Sequence, residues 1–226
     1  MTTGELRRSF HDDLADLQHR VGTVADVVVG GLAIATASVL QGSTEARDTV
    51  VAGDRMIDSA YPGIEQDVFE LVARQAPVWR DLRFLIASLR IAQEIERSGD
   101  LLASIGRRGP TLDPAALTPV VRDLVGEMSE HAASMFAQAA GAYRTLDAVS
   151  ARRIPALDDD IDELHRRLLG ELFRAEDGLV GSIVELGLIA RFYERIADHA
   201  VVIAERVCFV VDGSMNATDA DESSWP

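Results

Sequence analysis

The chain reads as all-α: two tandem antiparallel three-helix bundles related by an internal repeat, six long helices in all. Three observations predict this. Apolar residues recur at three- and four-residue spacing, as in Leu82, Leu85, Ile86, Leu89 and Ile95, or Leu157, Ile161, Leu164 and Leu168, and no convincing period-two stretch interrupts them. Aromatics make up 5% of the 226 residues against a hydrophobic total of 47%, a balance that favours helical packing over a β-sandwich. One acidic pattern is also written twice, in "IERSGDLL" from Ile95 and "YERIADHA" from Tyr193.

The first helix is expected over 6–40. Its apolar run at 21–40 holds Thr23, Asp26, Thr36, Ser38 and three glycines. An Asp near the middle makes membrane insertion expensive, so this run is read as a buried helix face. The second helix is expected over 43–74. The third starts at Pro77, where a missing N–H costs nothing, and ends near Arg107. Residues 106–119, with three prolines, form the one obvious linker. The fourth, fifth and sixth helices follow over 119–146, 151–174 and 177–211. At 1.5 Å per residue these are long rods, and short connections make sequential rods antiparallel neighbours. The domain reading is 1–109 and 117–212 for the two repeats, with 213–226 a disordered acidic tail.

Formal net charge is −15. Such a surface repels DNA and anionic lipid, which argues against nucleic-acid binding and membrane association, and it suits cations or a basic partner. All 22 basic residues are arginine. Cys208 is the single cysteine, which excludes an internal disulfide and a cysteine-cluster zinc site. The polar N-terminus lacks the apolar stretch of a signal peptide. A cytoplasmic location fits.

Superposing the acidic pairs lays residues 90–100 over 188–198. Ile91, Ala92, Glu96, Arg97 and Asp100 then match Ile189, Ala190, Glu194, Arg195 and Asp198. A second echo pairs "DRMID" from Asp54 with "DDDID" from Asp158, each with Asp at i and i+4. Acid pairs at this spacing occur seven times, and chance in so acidic a chain gives about six. The weight therefore rests on four of the seven falling at repeat-equivalent positions. Two carboxylates one turn apart share a helix face and repel. Arginine relieves that repulsion, and Arg97 and Arg195 stand three residues before Asp100 and Asp198. A hard cation also relieves it. If Asp54 and Asp58 meet Glu96 and Asp100, and Asp158 and Asp162 meet Glu194 and Asp198, each half offers four carboxylates on two facing helices. That is how bundles hold Fe, Mn, Zn or Mg. His199 points about 100° away from Asp198; it either joins the second site, supports a carboxylate, or satisfies itself between helices. His11, His19, His131 and His165 lack ligand spacing and read as solvated.

Tandem three-helix bundles with an E(D)-x-x-x-D pair on two helices resemble the PhoU family of bacterial phosphate regulators. "RQAPVWRDLR" from Arg74, "IERSGD" and "YERIADHAVVIAE" carry the resemblance, which spans about 6–212. It implies a cytoplasmic negative regulator of phosphate uptake and phosphate-starvation signalling. Such a protein is an adaptor between a phosphate ABC transporter, through its ATPase, and a sensor histidine kinase of a two-component system. It also implies a homodimer and multinuclear iron or zinc on the acidic faces, with Asp54, Asp58, Glu96, Asp100, Asp158, Asp162, Glu194 and Asp198 as ligands. Leu101 departs from the His often found after the Asp, which sets the first site apart from the second. The same rows also read as docking surfaces for basic partner residues. The competing reading is a metal-binding enzyme of ferritin-like type; the Glu-x-x-His spacing of such bundles is absent, so no enzymatic activity is expected.

Overall fold

The computed structural model describes residues 3–174 and 179–213, all helix, turn or short loop, with no strand among them. The expected acidic tail lies outside the described residues, apart from Gly213. The long helices are α1 (Thr3–Gln41), α2 (Thr44–Gln75), α3 (Trp79–Arg108), α4 (Pro119–Thr145), α6 (Asp158–Leu172) and α7 (Val180–Asp212), with a one-turn helix α5 (Ala148–Ala151) between α4 and α6.

Each boundary has a local cause. Ser43 caps α2 by accepting from the Ala46 amide at 3.1 Å, and Thr118 caps α4 ahead of Pro119 in the same way. Helices α2 and α4 stop at Ala76 and Leu146, both in the left-handed region. Helix α3 begins two residues later than Pro77 predicts, because Val78 is extended and Trp79 takes a φ of 55°. The expected fifth helix is broken. Pro155 falls in a 3₁₀ turn (Ile154–Leu157), and the α-helix proper starts only at Asp158. The segment read as a linker is folded: two 3₁₀ turns, Gly109–Thr111 and Pro114–Ala116, place Leu112, Ala116 and Leu117 in the core.

Helix α2 packs on α1 and α3, and α6 packs on α4 and α7; α1 against α4 and α3 against α7 join the halves. Both joints run antiparallel. Arg122 donates to the Leu40 carbonyl and Arg144 to that of Gly22, while Arg83 reaches the Val210 carbonyl and Arg108 pairs with Glu185. The pairings relate α1 to α4, α2 to α6 and α3 to α7. One continuous core fills all of it, from Phe10 in α1 to Val210 in α7. Helix α1 is the one described helix apolar and long enough to cross a membrane. Here Leu14, Leu17, Val21, Val28, Leu32, Ala35 and Val39 are buried against the bundle, as its spacing predicts.

Polar bolts cross the core. Tyr193 of α7 meets Thr36 of α1 at 2.7 Å, and Thr36 donates to Ser129 of α4 at 2.6 Å. Tyr143 of α4 meets Ser88 of α3 at 2.7 Å. Burial pushes both phenols well above their ordinary range, so they remain protonated donors.

Candidate functional site

In the first half Asp54 and Asp58 lie one turn apart on α2, opposite Glu96 and Asp100 on α3. Asp58 and Asp100 are exposed, Glu96 is half-buried, and Asp54 is 7% exposed. Asp54 is accommodated because Gly99 has no side chain: a Cβ there would sit 3.1 Å from Asp54 Oδ1 and 2.8 Å from Ile57 Cδ1. Burial, then the Asp58 and Asp100 charges, raise the Asp54 pKa, with Arg107 and Arg55 opposing. Burial, then Asp100 and Asp58, raise that of Glu96, with Arg97 opposing. The four carboxylates thus form one electrostatic cluster. Asp54 Oδ2 lies 3.8 Å from the Arg107 guanidinium, while Oδ1 has no hydrogen-bond partner.

The second half repeats this with Asp158 at the start of α6, Asp162 one turn on, and Glu194 and Asp198 on α7. Burial, then Asp198, Asp162 and Glu194, raise the Asp158 pKa. Burial and then Glu194 raise that of Asp198, with Asp162 adding and Arg191 and Arg195 opposing. Asp158 Oδ1 also has no hydrogen-bond partner. The eight residues singled out in the sequence therefore assemble as two groups of four.

Several finer expectations differ. Arg97 turns to Glu94 at 3.4 Å, and at the second site Arg191 forms an ion pair with Glu194. Arg97 and Arg195 thus act on Glu96 and Asp198 by charge alone, while Arg107 and Arg191 form the ion pairs with cluster carboxylates. His199, by contrast, takes the interhelical place that was one of its three readings, away from the acidic face. It is buried between α3 and α7, with Nδ1 2.9 Å from Ser98 Oγ and Nε2 3.7 Å from Glu94 Oε2. Burial, aided by Arg195 and Arg97, pushes its pKa down to about 4, so it is neutral near pH 7. Two histidines read as solvated are engaged instead. His131 Nε2 lies 2.8 Å from the Leu157 carbonyl. His165 Nδ1 lies 3.6 Å from Glu194 Oε2, at the second site. Its position three residues after Asp162 was the signal, a carboxylate and imidazole on one face of α6.

The first group offers oxygen donors alone, which suit Mg or Mn; the second adds the His165 nitrogen, which widens the choice to Zn and Fe. An unpartnered buried carboxylate oxygen in each group fits a cation. Among the described residues, however, no three His, Cys, Asp or Glu side chains converge closely enough to hold one.

Comparison with known proteins joins this geometry to a lineage. The PhoU domain model matches residues 21–109 and 125–207. The phosphate-specific transport system accessory protein PhoU homolog 2 of Mycobacterium tuberculosis is 31% identical over 211 residues, covering 92% of this chain and 99% of that protein. The PhoU homolog of Caulobacter vibrioides is 28% identical over 91% of each chain. The crystal structure of PhoU from Pseudomonas aeruginosa superposes with a TM-score of 0.85 at 24% identity, covering 91% of this chain and all of that one. That from Streptococcus pneumoniae gives 0.84 at 23% identity, over 92% and 99%. With its repeated three-helix pattern, its paired acidic faces and these matches along nearly its whole length, the chain belongs to the PhoU family.

Proposed function

We propose that this protein is a cytoplasmic accessory protein of phosphate transport. It negatively regulates phosphate uptake and starvation signalling by bridging a phosphate ABC transporter and a sensor histidine kinase, with no chemistry of its own. The observation that carries the reading is the pair of pseudo-symmetric acidic clusters on a chain whose relatives are named accessory proteins of phosphate-specific transport. Each cluster holds carboxylates whose repulsion and burial are only partly offset by arginines of the chain, a state that a cation or a partner's basic side chain relieves further. In the metal-bound form, Asp54, Asp58, Glu96 and Asp100 hold one set of ions and Asp158, Asp162, Glu194 and Asp198 the other, drawn from Fe, Zn, Mn or Mg. The metal then serves as a bridge and charge neutraliser for docking. The homodimer that the resemblance implies cannot use the apolar faces of α1, α3, α4 and α7 that pack the two halves together. Exposed apolar residues that a dimer could use include Val78 and Trp79, and Phe173, Val180 and Val184.

The test is affinity capture with the full chain from cells grown in high phosphate. Recovery of the transporter ATPase or a sensor kinase is expected, with loss of repression in Asp100→Ala and Asp198→Ala variants that retain native helicity. Absence of both proteins together with unchanged repression overturns the reading. Metal analysis of protein purified without chelator separates the two forms of the site: Fe, Zn, Mn or Mg above background is expected for the metal form, and a metal-free protein that still represses leaves direct docking.

A further inference from the structure

Beside the first acidic cluster, α1, α2 and α3 leave an open groove of about 340 Å³. Its walls are almost entirely apolar, with Gly30 and Gly31 from α1, Gly53 and Met56 from α2, and Leu102 from α3; the one acidic group among the lining residues is Asp54. Glycine inside a helix weakens it relative to alanine, yet four, Gly30, Gly31, Gly53 and Gly99, line this one surface. A Cβ on Gly30 would meet nothing within 4 Å, and one on Gly53 would only touch Val27 at 3.4 Å, so the space in front of them is vacant of protein. The repeat supplies a contrast. By the register that pairs Asp54 with Asp158, the counterpart of Gly53 is Leu157, whose side chain packs onto the core.

The second, independent observation is Asp54 itself. It is more than nine-tenths buried, it lines the groove, and its Oδ1 has no hydrogen-bond partner. Buried carboxylate oxygens are normally satisfied, and one that is not calls for a missing partner. Arg107 already stands 3.8 Å from Oδ2, so the vacancy belongs to Oδ1. Met56, at the rim, is 61% exposed, and methionine is an adaptable contact residue.

We propose that this groove is a docking site for a basic amphipathic helix of a partner protein. One large aliphatic side chain of the partner fills the space over Gly30 and Gly53, and an arginine or lysine about one turn away reaches Asp54 and the carboxylates beyond it. Charge selects this occupant: Asp54 lines the groove and is electrostatically coupled to Asp58, Glu96 and Asp100, and the whole chain carries −15, which disfavours an acidic segment and a second copy of the same surface. The mode is a helix laid in a groove, anchored at i and i+4. The inference rests on the accessory-protein reading and gives its partner contact an address in the first half alone.

The test uses the full chain and a fluorescein-labelled peptide of about four helical turns with Leu and Arg at i,i+4 spacing, followed by fluorescence anisotropy. Saturable binding is expected. Gly53→Leu, which copies the second half and raises helix propensity, should weaken it by at least about tenfold, since it occupies the anchor's space. Asp54→Asn should weaken it several-fold and flatten its salt dependence, and a peptide with Leu replaced by Ala should lose at least about tenfold. Circular dichroism melting confirms that both variants are folded. No saturable binding up to about 1 mM overturns the proposal. So does unchanged affinity in Gly53→Leu, or equal binding of the Ala peptide, which would leave the acidic row as the whole attraction. A native dimer that Gly53→Leu converts to monomer would make a second copy the occupant and overturn it too. Normal repression in cells by Gly53→Leu overturns the groove as the docking address while leaving the regulatory reading intact; unaltered repression on deleting the whole chain is what defeats that reading.

Discussion

Replacing Glu96 by Gln is expected to make this protein more stable. Glu96 lies half-buried on α3 among Asp100, Asp58 and Asp54, with Arg97 as the opposing charge. Like charges at this separation cost a few tenths of a kcal/mol each at exposed or half-exposed sites. Three such pairs, less one arginine and discounted for solvent screening, come to roughly 0.5–1 kcal/mol. Glutamine keeps the shape and the helix propensity of glutamate, so little else changes. For a chain of this size the gain corresponds to a melting temperature about 1–4 °C higher at pH 7 and low salt. The pH dependence has a definite sign. The folded-state pKa of Glu96 is raised above its ordinary value of 4.5, so the folded form binds the proton more tightly than the unfolded one. The penalty is fully present above the folded pKa and disappears as pH falls toward 4.5. The gain of the Gln variant should therefore vanish on acidification, and it should shrink near 1 M salt, where the Debye length is about 3 Å. Differential scanning calorimetry of the chelator-treated protein across pH and salt checks this. A Gln variant less stable than the native protein at pH 7, or a gain insensitive to both pH and salt, would refute the idea of an incompletely compensated acidic cluster.

His199→Gln should remove a pH dependence of the opposite sense. The buried imidazole resists protonation until about pH 4 while the unfolded residue titrates near 6.5. The native chain should therefore lose up to roughly 3 kcal/mol that the variant keeps as pH falls between those values, read by urea denaturation. Gly109→Ala should cost at least about 2 kcal/mol, because its Cβ would lie 2.4 Å from the carbonyl carbon of Ser38 and backbone cannot rotate away. Gly126→Ala, with nothing within 4 Å, should be neutral or stabilise by about 0.5–1 kcal/mol, and equal thermal shifts for the two would contradict the packing at Gly109. Tyr193→Phe should cost about 0.5–1.5 kcal/mol, since Thr36 keeps its bonds to Ser129 and the Leu32 carbonyl; a much larger loss in chemical denaturation would mean the network is not divisible.

The sequence by itself determined the helices, their order and the grouping of the eight acids, because the period of apolar residues and the register of a repeat are properties of the linear chain. It also showed where charge would accumulate, since residues one turn apart share a face whatever packs on them. Only the tertiary structure decided what each charged group meets. Arg97 had Asp100 in reach along the helix and turned to Glu94; His199, next to Asp198 in the chain, points 100° away into the seam between α3 and α7 and meets Ser98. Only the folded chain shows that the two halves share one core, since α1 meets α4 and α3 meets α7 through contacts more than 100 residues apart, beyond the reach of any local pattern. The vacancy over Gly53 and the lone oxygen of Asp54 belong to that same level: spacing tells which face a residue occupies, and what fills the space opposite depends on three helices at once.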